Sequence, residues 1–187
     1  INAVAENSDA VLVCGGDGTI NEAAQALIGT ETALAVWPLV TGNVLAKDLG
    51  LPSNPTAVAD LIARGLTRMI SVGRASTPDR GWQRYFLLMA GIGVDATIVK
   101  AVDPDLKRIA GIGAYWVAGF DFLARFPLTR FRVVAGGEEH QATFATIANS
   151  ASYGGWFSLA PKAEIDKNKL DLCLFDVRSR LDSVRYA

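Results

Sequence analysis

With 187 residues, half of them hydrophobic, the chain has material for one large domain or two small ones, and intrinsic disorder is excluded. Eighteen Lys and Arg against nineteen Asp and Glu leave a formal net charge of -1, which excludes a long-range positive field for holding nucleic acid or anionic lipid. A single histidine, His140, and two cysteines in apolar runs, Cys14 and Cys173, exclude a disulfide framework and a structural zinc site, so the thiols are expected to be buried in a reducing, cytoplasmic setting and any metal to be a hard cation on oxygen ligands.

Along the chain, Ile1 to Asp9 lacks the basic and apolar regions of a signal peptide. Ala10 to Cys14 is a short apolar run expected to form a parallel strand buried on both faces. A helix should follow, with Ile20, Ala23, Ala24, Leu27 and Ile28 at helical spacing, Thr19 and Glu22 as a capping box and Gly29 as its stop. Thr32 to Leu39 is a second strand. Asn43 to Leu49 is a short helix ended by Gly50 and Pro52, and Asn54-Pro55 starts another with Ala57, Val58, Leu61 and Ile62 inward and Gly65 as its stop. Residues 1–70 therefore read as an α/β domain with a parallel sheet.

From about Ile70 the pattern turns to strands: Ser71 to Ser76, Gln83 to Ala90, Arg130 to Ala135, His140 to Ala148 and Leu170 to Val177. Asp79-Arg80-Gly81 and Gly136-Gly137-Glu138 read as hairpin loops, the second placing His140 near an exposed turn. Residues 71–187 are expected to form a mainly antiparallel second domain. One helical stretch, Ile109 to Phe126, interrupts it; its apolar part is broken by Asp121 and falls short of the ~20 residues of a spanning helix. Trp82, Tyr85, Phe86, Trp116, Phe120, Phe122, Phe126, Trp156 and Phe157 concentrate in this half, where they serve a core or an acyl-chain cleft.

The chemistry lies between the first strand and the first helix. Gly15, Gly16 and Gly18 permit positive φ and close approach of backbone N–H groups, and the helix start adds unpaired donors and the positive end of its dipole. A phosphate chain fits such a turn. Asp17 beside phosphate would bind Mg²⁺ or take a proton from an attacking hydroxyl; the plain alternative is a structural turn with a solvated carboxylate.

Taken together, GGDGTINE at 15–22, PLVTGNVLAKDLGLP at 38–52, GIGVDA at 91–96 and GGWFSLAPKAEI at 154–165 resemble the diacylglycerol kinase catalytic-domain family with its YegS-like bacterial lipid kinases. The resemblance implies an NAD-kinase-like α/β nucleotide-binding domain, a β-sandwich-like second domain, and transfer of the ATP γ-phosphoryl group to a lipid hydroxyl with Mg²⁺. It implies that Gly15, Gly16, Asp17, Gly18 and Thr19 line the phosphates, that Asn21 and Glu22 support loop and metal, and that Thr41 and Asn43 close the nucleotide site. It also implies a role for Asp95 toward the substrate head group or the metal's waters, against its reading as a helix N-cap.

Several positions depart from the family pattern. Val40 and Val44 stand where many members carry Gly and Asp, and Lys167 stands at an expected metal-ligand position, leaving Asp166 as the substitute. A turn so near the start predicts an upstream strand and helix, since a βαβ unit takes roughly 30 residues. Ser179 to Ala187 begins an amphipathic helix, and the family's general base is expected beyond it, so the chain reads as a fragment. The expected function is a diacylglycerol-type lipid kinase, with a sphingoid-base or other amphiphile kinase and a non-catalytic nucleotide- or lipid-binding module as alternatives. Expected partners are the lipid substrate, a membrane touched peripherally and a second copy of the chain, with no nucleic acid.

Overall fold

The computed structural model describes residues 7–40, 42–93, 129–153 and 157–177, with the side chain of Phe157 outside that description. Thr41, Asp95, the expected helix Ile109 to Phe126, Trp156 and Ser179 to Ala187 lie outside the described residues. The chain divides into two compact units, Ile1–Met89 with Ala148–Asp171, and Ala90–Ile147 with Leu172–Ala187.

In the first unit, β1 (Ala10–Gly15) pairs in parallel with β2 (Ala33–Pro38), from Ala10↔Ala33 to Gly15↔Pro38. Helix α1 (Asp17–Leu27) joins them and buries Ile20, Ala24 and Leu27, the face expected from spacing. These residues form one core with Val13, Val36, Leu45, Leu87 and Ile165. Full burial of such a side chain contributes about 1.5–3 kcal/mol. Val11 and Val13 turn toward this core, but Leu12 and Cys14 on the opposite face of β1 are exposed. The strand is therefore buried on one face only, and the Cys14 thiol is open rather than buried because strand alternation carries it away from the α1 side.

Helix α2 (Val44–Asp48) and helix α3 (Pro55–Ala63) fall on the two expected helical stretches, each capped by the Asn before it. Asn54 Oδ1 accepts from the Thr56 N–H at 2.8 Å, Pro55 occupies the first turn, and Gly65 follows the end at φ +62°. Of the four α3 residues expected inward, Val58 is buried, Ala57 and Leu61 are half-buried and Ile62 is exposed.

Strands β3 (Gly73–Thr77) and β4 (Trp82–Phe86) form an antiparallel hairpin around Pro78–Arg80 and Gly81, the last at φ +60°. The Phe86 ring lies over Gly73, so any larger residue there would meet the ring. The expected Gln83–Ala90 strand is interrupted. At Leu87 and Leu88 the chain leaves β4, and β5 (Met89–Gly93) begins after two bent residues. Two side-chain bonds and one backbone bond hold the break: the Leu87 N–H donates to Asn21 Oδ1, Asn149 Nδ2 donates to the Leu87 carbonyl, and the Asn149 backbone N–H donates to the Leu88 carbonyl.

In the second unit, β6 (Phe131–Ala135) and β7 (Glu138–Ala142) pair antiparallel around Gly136 and Gly137, both at positive φ as a two-residue loop requires. His140 lies within β7 opposite Val133. The expected His140–Ala148 strand also splits, because Thr143 is diverted: its N–H and hydroxyl both donate to the Phe175 carbonyl, at 2.8 and 3.0 Å. Strand β8 (Phe144–Ala148) then stands between β5 and β11 (Asp171–Phe175) in a three-stranded sheet. The short β9 (Ser152–Tyr153) and β10 (Phe157–Ser158) pair antiparallel in the first unit.

Candidate functional site

The turn from β1 into α1 carries the glycine motif, and the structure corrects how it is built. The helix begins at Asp17 with Gly16 as N-cap and no side-chain cap bond. Thr19 lies inside the first turn, so the expected Thr19–Glu22 capping box does not form. Glu22 instead pairs with Arg84 of β4. Gly15, Gly16 and Gly18 do not adopt positive φ. Gly15 is required by space: a Cβ there would stand 3.0 Å from Thr19 Cβ and 3.1 Å from its Oγ1. A Cβ at Gly16 would stand 3.2 Å from Val40 Cγ2, whereas Gly18 has open space around it.

The first helical bond runs from the Ile20 N–H to the Gly16 carbonyl at 3.1 Å. The N–H groups of Asp17, Gly18 and Thr19 precede it and lack a helical partner, as at any helix start. Thr19 and Gly18 are exposed and Gly15 and Gly16 half-buried, so this set of donors is open to an anion.

Asp17 is half-buried, and its carboxylate is not free. Its Oδ2 accepts from the Val44 N–H at 2.9 Å and its Oδ1 from the Leu45 N–H at 3.0 Å, which places both oxygens on the start of α2. Asn43 answers from the other side. Its Oδ1 caps α2 by accepting from the Ala46 N–H at 2.8 Å, and its Nδ2 donates to the Gly15 carbonyl at 3.1 Å. Asn43 is 2% exposed. The first and second loops are thus closed on each other by two side chains. Val44, buried in α2, donates only its backbone N–H to Asp17.

Asn21 faces away from the turn, toward β4. Its Nδ2 donates to the Tyr85 carbonyl at 3.4 Å, and Gln25 Nε2 donates to the same carbonyl at 2.9 Å. Gln25 Oε1 accepts from the Tyr85 N–H at 2.9 Å. Asn21, Glu22 and Gln25 therefore fasten α1 to β4. Gln25 had no signal in the sequence, because only the fold brings residues 60 positions apart into register.

Asp166 lies against the Arg68 guanidinium at 2.7 Å, and Lys167 Nζ against Glu164 Oε1 at 2.5 Å. The Glu164 bond and charge, with a smaller contribution from Asp166, raise the Lys167 pKa above its usual 10.5. Among the described residues no group of three or more His, Cys, Asp or Glu side chains could hold a metal ion, so Asp17 and Asp166 are not joined in such a centre.

Two family models cover the chain in succession. The diacylglycerol kinase catalytic domain matches residues 1–75, and the YegS C-terminal NAD kinase beta sandwich-like domain matches residues 89–186. The chain belongs to the diacylglycerol kinase family of YegS-like lipid kinases. A diacylglycerol kinase of Mycobacterium tuberculosis strain H37Rv is 35% identical over 98% of this chain and 60% of its own length. That of Bacillus subtilis strain 168 is 28% identical over 96% of this chain and 59% of its own. The crystal structure of a diacylglycerol kinase from Bacillus anthracis superposes with a TM-score of 0.67 at 25% identity, over 97% of this chain and 59% of that one. The chain thus spans about 60% of the length of these curated relatives. These likenesses agree with the expected fold class, a parallel α/β part followed by a β-sandwich-like part, and the observed pairings show both kinds of sheet. No described helix is long and apolar enough to cross a membrane.

Proposed function

We propose that the whole protein is an ATP-dependent lipid kinase that transfers the γ-phosphoryl group to the hydroxyl of a diacylglycerol-like lipid, and that residues 1–70 supply nucleotide contacts while residues 71–187 supply lipid contacts. The observation that carries this reading is the fastening of the GGDGT turn to the second loop by Asp17 and Asn43. A transferred phosphoryl group needs donors held rigidly in place before it arrives. Here the amides of Asp17, Gly18 and Thr19 supply donors, Gly15 and Gly16 let phosphate approach, and Asp17 and Asn43 hold the two loops at a fixed spacing. Thr41 and Asp95 belong to the same proposal on family grounds.

ATP is the proposed phosphoryl donor and Mg²⁺ the proposed ion, which would neutralise phosphate charge when bound. No three His, Cys, Asp or Glu side chains cluster among the described residues, but an ion held mainly by phosphate oxygens and water needs only one or two carboxylates, for which Asp17 and Asp166 are the proposed candidates. The reading also places the protein in the cytoplasm, in peripheral contact with the membrane holding its substrate, and includes a homodimer. The near-neutral net charge supports leaving nucleic acid out.

A second reading, a module that binds without turnover, is favoured by one observation: the Val40 side chain lies on Gly16 and narrows the approach to the N-cap. Assay of the full-length protein with radiolabelled ATP, Mg²⁺ and vesicles containing diacylglycerol, a sphingoid base or another amphiphile separates the readings. Label appearing in diacylglycerol supports the first; label in a sphingoid base reassigns the substrate. Saturable ATP binding without transfer to any lipid leaves only the module.

A further inference from the structure

Helix α2 has five residues, and side chains from distant parts of the chain hold both of its ends. At its start the N–H groups of Val44 and Leu45 rest on Asp17. At its end Asp48 accepts from two serines: Ser150 Oγ donates to Oδ2, and Ser152 Oγ donates to Oδ1 at 3.1 Å. Ser150 is 1% exposed and Asp48 half-buried.

The serines stand on a fixed platform. Asn149, fully buried beside them, donates through Nδ2 to the Ser71 and Leu87 carbonyls, both at 2.8 Å. A helix of about 7.5 Å has too few internal bonds to hold an orientation alone. Its orientation comes from its buried Val44, Leu45 and Ala46 and from the two carboxylates at its ends. A half-buried carboxylate is costly without donors, and at Asp48 the donors are hydroxyls rather than a cation, so the bond is directional.

We propose that Asp48 is a positioning residue of the nucleotide site. Through Ser150 and Ser152 it sets the rotation of α2, and α2 in turn presents the two N–H groups that hold Asp17 and, through Asn43, the Gly15 carbonyl. The proposal rests on the reading of the GGDGT turn as a nucleotide site. Cutting the tie at Asp48 lets α2 turn on its apolar face, so the turn loosens while the core of Val13, Ile20, Val36, Leu87 and Ile165 stays packed.

The test uses Asp48→Ala, Asp48→Asn and the double variant Ser150→Ala/Ser152→Ala in the full-length protein. Binding of a fluorescent ATP analogue is measured well below the unfolding temperature, and amide hydrogen exchange at Val44 and Leu45 is measured without nucleotide. Asp48→Ala and the double serine variant should each weaken nucleotide binding and speed exchange at both amides, each on the order of tenfold. Asp48→Asn keeps an oxygen for one hydroxyl and should recover most of both effects, which a general loss of stability would not do. In an Asp17→Asn background Asp48→Ala should add little. Unchanged exchange at Val44 and Leu45 in Asp48→Ala overturns the proposal, as does unchanged nucleotide affinity with faster exchange. Wild-type protein that binds no nucleotide defeats the nucleotide reading alone, and the exchange rates then decide whether Asp48 holds α2 against Asp17.

Discussion

Asp17 and Asn43 fasten the same two loops in opposite directions. The carboxylate of Asp17 receives the N–H groups of the helix that Asn43 caps, while the amide of Asn43 donates to the Gly15 carbonyl on Asp17's own turn. Removing Asp17 leaves the Val44 and Leu45 N–H groups without that acceptor, and removing Asn43 leaves the Ala46 N–H and the Gly15 carbonyl without theirs; both losses fall on the start of α2, so their effects should not add.

Asp17→Ala should therefore lower stability as well as activity. Two hydrogen bonds to a charged acceptor are lost, at about 1.5–3 kcal/mol each before relaxation. Urea denaturation should show the loss, and phosphate transfer to lipid should disappear. Asp17→Asn retains one acceptor and should keep more stability than activity. Full activity in either variant would remove Asp17 from the proposed mechanism.

Gly15 and Gly18 should respond oppositely to alanine. At Gly15 the new Cβ meets Thr19 atoms at 3.0 to 3.2 Å, and crowding of this kind costs about 1–3 kcal/mol. Gly18 lies within α1 with open space around it and without a positive φ, so alanine should stabilise the helix by about 0.5–1 kcal/mol. Thermal denaturation of both variants checks the contrast, and equal effects would contradict the geometry described.

Gln25→Ala removes both of its bonds to the backbone of Tyr85, leaving the Tyr85 N–H without that acceptor and its carbonyl with the longer 3.4 Å bond from Asn21. A stability loss of about 1–3 kcal/mol is expected from urea titration. Faster exchange at the Tyr85 amide should accompany it, with the Val44 amide unaffected. Loss of protection at both amides would show that α1 and α2 open together.

The pH dependence near Lys167 has a defined sign. Its folded pKa is raised above 10.5, chiefly by the bond to Glu164, so its contribution is complete below 10.5 and is lost as pH rises through the higher folded value. The side chain is exposed, and the effect is small. Comparing wild type with Lys167→Gln by denaturant titration from pH 8 to pH 12 should give a constant difference that shrinks only at the alkaline end.

Much of the first half was legible in the sequence because its signals are local. Asn43 and Asn54 cap helices from one side chain and the two or three residues after it, and the inward face of α1 follows from 3.6-residue spacing. The strand breaks at Leu87 and Thr143 were not legible. Both segments have strand-like composition, and what interrupts them is hydrogen bonding with a residue far along the chain, Asn21 or Asn149 in one case and Phe175 in the other.

The sequence by itself determined the order of strands and helices in the first seventy residues, the glycine-rich strand-to-helix turn and its family resemblance, since spacing and residue type carry each of these. Only the tertiary structure decided what the side chains of that turn hold. Asp17 serves the start of α2, Asn21 and Glu22 serve β4, and Asp48 serves two serines about a hundred residues away. The physical reason is that a carboxylate or amide takes whichever N–H or hydroxyl the packed core brings within about 3 Å, and the core, built from residues 13 to 165, is not local.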